Sequence, residues 1–398
     1  MKRRAHVPFE FIATPAALRD FCARLAPSGP VAIDTEFVGE KTYRPVLELV
    51  QVRDVDGLTG LVDAQALPDL GELAAVLTDK SRLKILHAGG QDIPILESAM
   101  GAPPWPIFDT QLAAAMVGLG AQVSYANLVS ELAGASLGKK HTVSDWSRRP
   151  LSADQLEYAA LDVAHLHVAH ARLQGRLDAL GRSAWFDEEQ RARFEDARRS
   201  TVADLPPEEF HRSVKEWAKL RGRKLAILRE LALWREEVAR EMNLPRRVVM
   251  PDSGLVHLAQ FAPTTREQAR DLRQVPPGPL NKRLDEILAV VARGLALPKD
   301  KRPRKPPTER MDTPPGLVEL VASLVRTIAE EWGIASTLIA TTSEMNDLVN
   351  NRRRLREVSL PVLKGWRREM VGEQLMGLLE GRLAVYIADG ERLAIEER

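Results

Sequence analysis

Two carboxylates at the end of a predicted strand are the first residues whose types and spacing could do chemistry. Asp34 and Glu36 follow the short apolar run at residues 31–33. In a strand, residues i and i+2 point to the same face, so the two carboxylates lie side by side. Two such groups repel one another unless a cation lies between them. The pair therefore indicates a cation site at this end of the strand.

Two more acidic residues lie in predicted helices. Asp92 follows a pair of glycines and opens a helix, where negative charge is favoured. Asp162 lies four residues after Tyr158, so a helix places both side chains on one face. Four carboxylates without paired basic residues nearby suit Mg²⁺ or Mn²⁺, which prefer oxygen ligands. Two such ions are the usual device for in-line hydrolysis of a phosphodiester, and a tyrosine one helical turn from a ligand could orient the attacking water.

Short strands that alternate with helices must position these side chains. Apolar runs predict strands at residues 31–33, 47–52, 58–62 and 84–86. Helical patterns lie between them at about 14–26, 68–78, 91–100, 109–118, 124–133 and 152–175. The turn at Asp56-Gly57 joins the second and third strands as a hairpin. Strands and helices in turn predict an α/β layered domain.

The second half of the chain has a different pattern, in which strand signals stop after Leu180. A polar helix is predicted at 184–199, and an apolar stripe from Leu225 to Met242 predicts a further helix. Residues 298–315 hold six prolines and a run of basic residues. That composition predicts an extended linker.

Three sequence motifs contain the acidic residues. In chain order they read Asp34-Thr35-Glu36 with Thr42-Tyr43-x-Pro45-x-Leu47-x-Leu49-x-Gln51, then His87-Ala88-Gly89-x-x-Asp92 with Asp109-Thr110-Gln111, then Asp145-Trp146-Ser147-Arg148-Arg149-Pro150-Leu151 with Tyr158-Ala159-Ala160-x-Asp162-Val163. In order and spacing they resemble the motifs of ribonuclease D, a family of the DEDD superfamily of 3′→5′ exonucleases. Glu157 occupies the position at which another subclass has histidine, so the chain resembles the tyrosine (DEDDy) subclass.

The resemblance covers about residues 10–175 and implies a fold, a metal site and a catalytic tyrosine. The implied fold is a ribonuclease H-like exonuclease domain at residues 1–190, with a mixed sheet flanked by helices. Tyr158 is the residue implied to position the attacking water. The implied ligands of two Mg²⁺ or Mn²⁺ ions are Asp34, Glu36, Asp92 and Asp162.

The helical half contains an internal repeat and resembles a second family. At an offset of 90 residues, eleven apolar positions of the segment 227–258 match apolar positions of 317–348, so we interpret two copies of one small domain. The first copy, from Leu244-Pro245 onward, resembles the helix junction of HRDC domains, helical modules of ribonuclease D and RecQ-type helicases. The second copy diverges, with Ala335 for Pro245 and Thr342 for Asp252. The expected order is an all-α HRDC bundle at 205–297, a linker at 298–315 and a diverged all-α HRDC-like bundle at 316–398.

Seven further residues are candidates for contact with the substrate. Phe37 and Tyr43 could stack on terminal bases, although core packing is an alternative for Phe37. His87 could contact substrate or could only cap the turn between a strand and a helix. The basic candidates could contact phosphates or form a solvated helix end, and they are Lys219, Arg221, Arg223 and Lys224.

These observations predict a metal-dependent 3′→5′ exoribonuclease that acts on structured RNA and releases nucleoside 5′-monophosphates. The resemblance implies tRNA precursors as substrates. Two alternatives stay open. A DNA 3′→5′ exonuclease would use the same metal core, and a catalytically inert nuclease domain could serve only to bind nucleic acid.

Composition and charge limit the other possibilities. Residues 1–200 carry 22 basic and 26 acidic residues, a net charge of −4, and the remainder carry 34 and 29, a net of +5. An acidic and a basic half fit a metal-binding module joined to a module for polyanions. No run approaches the ~18 apolar residues of a membrane span. A single cysteine excludes an intramolecular disulfide, and the segment Gly134-x-x-x-Gly138-Lys139 falls short of a nucleotide-binding loop. We expect a cytoplasmic monomer that has no membrane partner and no nucleotide cofactor.

Overall fold

The computed structural model describes residues 7–39, 41–67, 69–137, 145–199, 205–272, 275, 277–304, 314–390 and 392–398. These residues form two compact units. The first unit contains the described residues of 1–36, 48–197 and 309–398, and the second contains those of 37–47 and 198–308. No helix within these ranges combines the length and the apolar content that a membrane crossing requires.

A mixed sheet forms the centre of the first unit. The strands found in the described residues are β1 (Glu10–Ile12), β2 (Val31–Val38), β3 (Val46–Arg53), β4 (Thr59–Asp63), β5 (Lys84–Leu86) and β6 (Ile107–Asp109), in the spatial order β1-β4-β3-β2-β5-β6. β3 and β4 form the predicted antiparallel hairpin, whereas β1–β4, β2–β5 and β5–β6 are parallel pairs. The four predicted strands are confirmed. The strands β1 and β6 were not predicted from the sequence pattern.

Helices accompany the strands through the rest of this α/β region. They are α1 (Pro15–Arg24), α2 (Gly71–Leu77), α3 (Asp92–Met100), α4 (Thr110–Met116), α5 (Tyr125–Ala133), α6 (Ala153–Ala164), α7 (Leu166–Ala179) and α8 (Ser183–Arg199). The predicted helices are present. The helix predicted at 152–175 is a partial exception, because it is divided into α6 and α7.

The division between α6 and α7 has a specific cause. The N–H of His165 donates to the hydroxyl of Tyr125 at 3.1 Å, and this hydroxyl donates to the carbonyl of Leu161 at 3.2 Å. In a continuous helix, His165 would donate directly to Leu161. The Tyr125 hydroxyl therefore lies within the hydrogen-bond ladder and interrupts it, as inserted side chains do.

The C-terminal part of the first unit is helical and ends in a hairpin. Its elements are α14 (Pro315–Trp332), α15 (Ser336–Ile339), α16 (Thr342–Asn350), α17 (Gly365–Arg367), α18 (Glu373–Leu379), β7 (Leu383–Ala388) and β8 (Arg392–Glu397). The expectation of an all-α bundle over 316–398 is wrong for the last part, because β7 and β8 pair antiparallel. Asp389 and Gly390 follow β7 with φ of 53° and 77°, a left-handed conformation that these residue types tolerate at turns.

This C-terminal part shares a core with the α/β region. One buried cluster contains Leu128 and Leu173 of α5 and α7 together with Leu324 and Ile328 of α14. The N–H of Ala335 also donates to the carbonyl of Ala115 at 3.1 Å. The two segments are therefore packed as one body, although α8 ends at Arg199 and α14 begins only at Pro315.

A buried arginine joins the same two segments. Arg182 is 3% exposed, and its guanidinium donates to the carbonyls of Met116 at 2.6 Å, Gly333 at 3.2 Å and Trp332. Met116 ends α4 and Trp332 ends α14. The positive charge thus lies at two helix C-termini, where it is favoured.

The second unit is built around two long helices of 20 residues each, α9 (Gly222–Glu241) and α13 (Pro277–Ala296). Its shorter helices are α10 (Arg246–Val249), α11 (Asp252–Phe261) and α12 (Arg266–Arg270), with 3-10 turns at Pro207–Ser213, Trp217–Lys219 and Lys299–Lys301. The predicted apolar stripe on α9 is confirmed, because Leu228, Leu231 and Val238 are buried. Part of the predicted linker, residues 305–313, lies outside the described residues.

Candidate active site

Three carboxylates predicted from the sequence converge at the middle of the sheet. Asp34 and Glu36 lie on β2, and Asp162 lies on α6. Each offers one oxygen within 4.8 Å of the oxygens of the other two. The central position of β2 fixes the first two, and a capping box starts α6, in which Ser152 and Gln155 bond reciprocally.

Asp92 has a different environment from the other three carboxylates. It lies in the first turn of α3 and accepts a hydrogen bond from the hydroxyl of Thr35. It is not one of the three residues whose oxygens lie within 4.8 Å of one another. Thr35 is 6% exposed and stands between Asp34 and Glu36 on β2. The structure therefore holds Asp92 beside the strand that carries Asp34 and Glu36.

Burial shifts the pKa values of all four carboxyl groups upward, and repulsion from the other carboxylates adds to the shift for Asp34 and Glu36. Burial and the charges of Asp162 and Asp92 raise the pKa of Glu36 to about 8. Burial raises the pKa of Asp162 to about 7, against a hydrogen bond from Tyr158 that lowers it, and raises that of Asp92 to about 6, against a lowering bond from Thr35. Burial and three carboxylate neighbours hold the pKa of Asp34 well above its usual range.

This donor set fits a hard divalent cation. In the described part of the chain, no lysine or arginine is among the groups that shift these four pKa values. Buried carboxylates without a cationic partner are costly unless a cation binds them. The donors are all carboxylate oxygens, which are the ligands that Mg²⁺ and Mn²⁺ prefer. Asp34, Glu36 and Asp162 could therefore hold a metal ion.

Tyr158 lies beside the cluster, on the same face of α6 as Asp162. Its hydroxyl is within hydrogen-bonding reach of the Asp162 carboxylate. Burial and the charges of Asp162, Glu36 and Asp34 raise the pKa of Tyr158 above its usual value. The phenol is therefore neutral across the physiological range and acts as a hydrogen-bonding group.

The segment around Trp146 supports this tyrosine. The rings of Trp146 and Tyr158 lie 6.3 Å apart, and Trp146 is 5% exposed. Arg149 anchors the segment by donating to both carboxylate oxygens of Asp63 at 2.7 and 2.8 Å and to the carbonyl of Glu48 at 3.0 Å. Residues 145–151, the first segment of the third motif, are thereby bonded to strands β3 and β4.

His87 is held by its own fold. Its Nδ1 lies 3.0 Å from the Thr110 hydroxyl, and its Nε2 lies 3.0 Å from the Val123 carbonyl. Burial lowers the pKa of His87. Both ring nitrogens therefore have intramolecular partners, and neither partner lies in the turn between β5 and α3 that the capping alternative concerns.

Two aromatic candidates differ in their surroundings. Phe37 is half-buried on β2. Tyr43 belongs to the second unit, where its hydroxyl donates to Glu236 and its ring centroid lies 4.9 Å from the Arg246 guanidinium. Its backbone N–H donates to Asn243 at 3.3 Å. The Tyr43 ring already has a cationic partner, so stacking on a base would compete with that contact.

The four basic candidates are all exposed, with Lys219 and Arg221 just before α9 and Arg223 and Lys224 in its first turn. Lys219 pairs with Glu216 at 2.8 Å. Arg223 and Lys224 occupy the first turn of α9, where the helix dipole disfavours positive charge. Arg223 and Lys224 therefore do not stabilise the helix end that they occupy. The contact of the four basic side chains with phosphates stays a prediction.

Three residues at the site were not given a role by the sequence patterns. Thr35 bonds Asp92, Tyr125 interrupts the helix after Asp162, and Asp109 accepts from the N–H groups of Ala88 and Gly89. Asp109 did give a signal, because it belongs to the Asp109-Thr110-Gln111 motif. The roles of Thr35 and Tyr125 depend on contacts between distant segments, and local spacing does not reveal such contacts.

Two protein-family models match the chain. A model described as 3'-5' exonuclease matches residues 9–178, and a model described as HRDC domain matches residues 224–291. The two matched segments do not include the second helical block at 316–398.

Curated relatives and a solved structure match nearly the whole length. A protein named ribonuclease D from Nitrobacter hamburgensis is 37% identical over 97% of this chain and 99% of its own. One of the same name from Acidiphilium cryptum is 37% identical over 96% of each chain. The crystal structure of Escherichia coli RNase D, described as an exoribonuclease involved in structured RNA processing, has a TM-score of 0.84 at 30% identity and covers 94% of this chain and 99% of its own.

Proposed function

Because the chain belongs to the ribonuclease D family and is a 3′→5′ exoribonuclease, we propose that it trims the 3′ ends of structured RNAs such as tRNA precursors. The proposed products are nucleoside 5′-monophosphates. The observation that carries the proposal is the buried cluster of Asp34, Glu36 and Asp162, which lacks a cationic partner in the described residues and lies beside Tyr158. The alternative of an inert nuclease domain has little support, because all four predicted ligand positions hold carboxylates.

We propose that the four carboxylates bind two Mg²⁺ or Mn²⁺ ions. When bound, such ions supply a water of lowered pKa and stabilise the leaving 3′ oxygen. Asp34, Glu36 and Asp162 are close enough to share one ion, which supports this assignment. Asp92, held by Thr35 in the first turn of α3, completes the proposed set.

Tyr158 is proposed to orient the attacking water. Its raised pKa supports a neutral hydroxyl, which can hold a water through hydrogen bonds but cannot remove a proton near neutral pH. The hydrogen bond between its hydroxyl and the Asp162 carboxylate supports this role. The packing of Trp146 against the tyrosine ring limits its rotation.

We propose the domain organisation of an exonuclease domain at 1–190, an HRDC domain at 205–297, a linker at 298–315 and a diverged HRDC-like domain at 316–398. The second copy is supported by backbone similarity at the 90-residue offset. α10 (Arg246–Val249) and α15 (Ser336–Ile339) begin and end at equivalent positions. The residues Asn243 and Gly333, also 90 apart (333 − 243 = 90), both have left-handed backbones, with φ of 49° and 54°.

The HRDC domain is proposed to hold RNA. The exposed side chains of Arg221, Arg223 and Lys224 would contact phosphates without sequence preference and with strong salt dependence. Phe37 is the proposed contact for terminal bases. The proposed protein is a cytoplasmic monomer.

A substrate comparison tests the proposed function. A 5′-labelled stem–loop RNA with a 3′ trailer and a DNA of the same sequence are incubated with Mg²⁺ or Mn²⁺. The expected result is a ladder that shortens the RNA from its 3′ end, with nucleoside 5′-monophosphates as products. Shortening of the DNA alone would favour the DNA exonuclease. No shortening of either would favour a domain that only binds nucleic acid.

A further inference from the structure

The carboxylate of Asp109 makes more hydrogen bonds than its position in the chain requires. It ends β6 and caps α4, accepting from the N–H of Gln111 at 2.8 Å. The same carboxylate accepts from the N–H groups of Ala88 at 2.9 Å and Gly89 at 3.2 Å. A helix cap needs only the first of these bonds. The other two reach a separate segment, the turn that leads into Asp92.

This turn has a backbone conformation that needs support. Ala88 has a φ of 59°, a left-handed conformation that a residue with a Cβ seldom adopts. A side chain at Gly89 would overlap Leu86. The Gly89 carbonyl accepts from the N–H of Ile93 at 3.2 Å, which forms the first turn of α3. The path of residues 88–89 therefore sets where α3 begins, and Asp92 lies in that first turn.

A second buried side chain fixes Asp109 itself. The N–H of Asp109 donates to Oε1 of Gln190 at 2.8 Å, and Gln190 is 4% exposed on α8. The neighbouring Glu189 pairs with Arg367 at 2.7 Å, so α8 is anchored where Gln190 lies. Asp109 is thus bonded to Gln190 through its backbone N–H and to the Ala88–Gly89 turn through its carboxylate.

We propose that Asp109 is a positioning residue for the metal centre. It holds the Ala88–Gly89 turn in its left-handed path, and Gln190 supports it from α8, so that the Asp92 carboxylate faces the other ligands. This inference rests on the proposed function, in which Asp92 binds metal. Asp109 acts through Asp92, because its own oxygens are engaged by backbone N–H groups.

Asp109→Asn tests the proposal with a small change. An amide can keep one oxygen for Ala88 and Gln111, but its NH₂ group then faces the N–H of Gly89, and that bond is lost. The full-length protein is titrated with Mn²⁺, and single-turnover RNA shortening is measured as a function of Mn²⁺ concentration. We expect Mn²⁺ affinity to fall about 10- to 100-fold, the range for residues that orient metal ligands, with partial recovery of the rate at high Mn²⁺.

Asp54→Asn is the matched control. Asp54 is 2% exposed in the turn between β3 and β4 and accepts from the N–H groups of Ala26, Asp56 and Leu58 at 2.9, 3.1 and 2.9 Å. Like Asp109, it therefore accepts hydrogen bonds from several backbone N–H groups, but in a turn that contains none of the proposed ligands. We expect Asp54→Asn to lower the melting temperature and to leave Mn²⁺ affinity unchanged.

Each outcome decides the proposal. Wild-type Mn²⁺ affinity and metal dependence in Asp109→Asn would overturn it, as would an equal loss of affinity in Asp54→Asn. If Asp109→Asn does not fold, Gln190→Met decides, with a smaller loss of affinity expected and an unchanged affinity contradicting the proposal. If the wild-type protein binds Mn²⁺ but does not shorten RNA, the proposed function fails, and the Mn²⁺ titrations still judge the role of Asp109.

Discussion

Glu36 shows that ionised carboxylates at the site are unfavourable in the metal-free protein. Burial and the neighbouring Asp162 and Asp92 raise its pKa from 4.5 to about 8. The i, i+2 spacing on a strand and the i, i+4 spacing on a helix were sufficient to predict which side chains share a face of one element, and the resemblance to ribonuclease D implied that the strand and the helix meet at one site. It was not sufficient to predict the bond from Thr35 to Asp92, because that contact joins residues 57 positions apart.

The raised pKa values predict how stability depends on pH without metal. The folded protein holds protons on Glu36 and Asp162 at pH values where the unfolded chain has released them. The contribution of Glu36 to the free energy of unfolding therefore falls as pH rises from about 4.5, its usual pKa, through its folded pKa of about 8. Buried histidines with lowered pKa values act in the opposite direction, so this contribution is measured as the difference in melting temperature between EDTA-treated wild type and Glu36→Gln from pH 5 to pH 8.

Glu36→Gln is the control for this pH dependence. It removes one charge from the cluster, so its melting temperature should fall less than that of the wild type over the same range. Saturating Mn²⁺ should also reduce the wild-type decline, because bound metal favours the ionised carboxylates. Equal declines in the wild type and Glu36→Gln without metal would contradict this account.

Tyr158→Phe should separate catalysis from metal binding. The hydroxyl is proposed to orient the attacking water, so its removal should lower kcat by about 100-fold or more, the size of effect that misplacement of a reacting group has. Mn²⁺ affinity should stay close to that of the wild type, because the carboxylates are unchanged. Tyr386→Phe, at an exposed position on β7, is the matched control and should leave both quantities unchanged. Loss of Mn²⁺ binding in Tyr158→Phe would refute the water-orienting role.

At the scale of elements, the sequence patterns were informative where an uninterrupted apolar run or a helical apolar stripe marks the element. The apolar runs of β2 to β5 and the stripe on α9 were predicted and are present. The break between α6 and α7 was not predictable, because it is caused by Tyr125, a residue of another helix. The hairpin of β7 and β8 follows a helical block, and the repeat with the HRDC-like copy favoured continued helix.

The Tyr125 hydroxyl supplies a prediction about this break. Tyr125→Phe removes the partner of both the Leu161 carbonyl and the His165 N–H, one turn from Asp162. Leaving such groups unpaired should lower the free energy of unfolding by about 1–3 kcal/mol. Denaturant unfolding checks this value, and kcat should fall because Asp162 loses its fixed position. An unchanged stability would mean that the two backbone groups pair directly once the hydroxyl is gone.

At the scale of the whole molecule, the first unit is one packed body made from distant parts of the chain. The sequence predicted separate domains at 1–190 and 316–398, and it could not reveal that they share a core, because that core forms only after α14 packs on α5 and α7. Arg182 occupies this contact as a buried cation bonded only to carbonyl groups among its described hydrogen-bond partners.

These hydrogen bonds predict that Arg182 helps to hold the C-terminal part of the first unit against the α/β region. Arg182→Met keeps much of the side-chain volume and leaves the carbonyls of Met116, Trp332 and Gly333 without their donor. Since hydrogen bonds from charged groups contribute about 1.5–3 kcal/mol each, the free energy of unfolding should fall by about 3 kcal/mol or more. Limited proteolysis should release a C-terminal fragment earlier than in the wild type. Arg176→Met, at an exposed position on α7, is the control, and equal proteolysis in both variants would contradict this role.

The central claim is that the buried carboxylates of β2 and α6 form the metal centre of a 3′→5′ exoribonuclease. The most direct measurement is single-turnover shortening of a 5′-labelled structured RNA over a range of Mn²⁺ concentrations, in the wild type, Asp34→Asn, Asp162→Asn and the control Asp56→Asn, which changes an exposed turn residue. The account predicts 3′ shortening with the same Mn²⁺ dependence in the wild type and Asp56→Asn, and none in the other two variants. Metal-dependent shortening retained in Asp34→Asn or Asp162→Asn would contradict it.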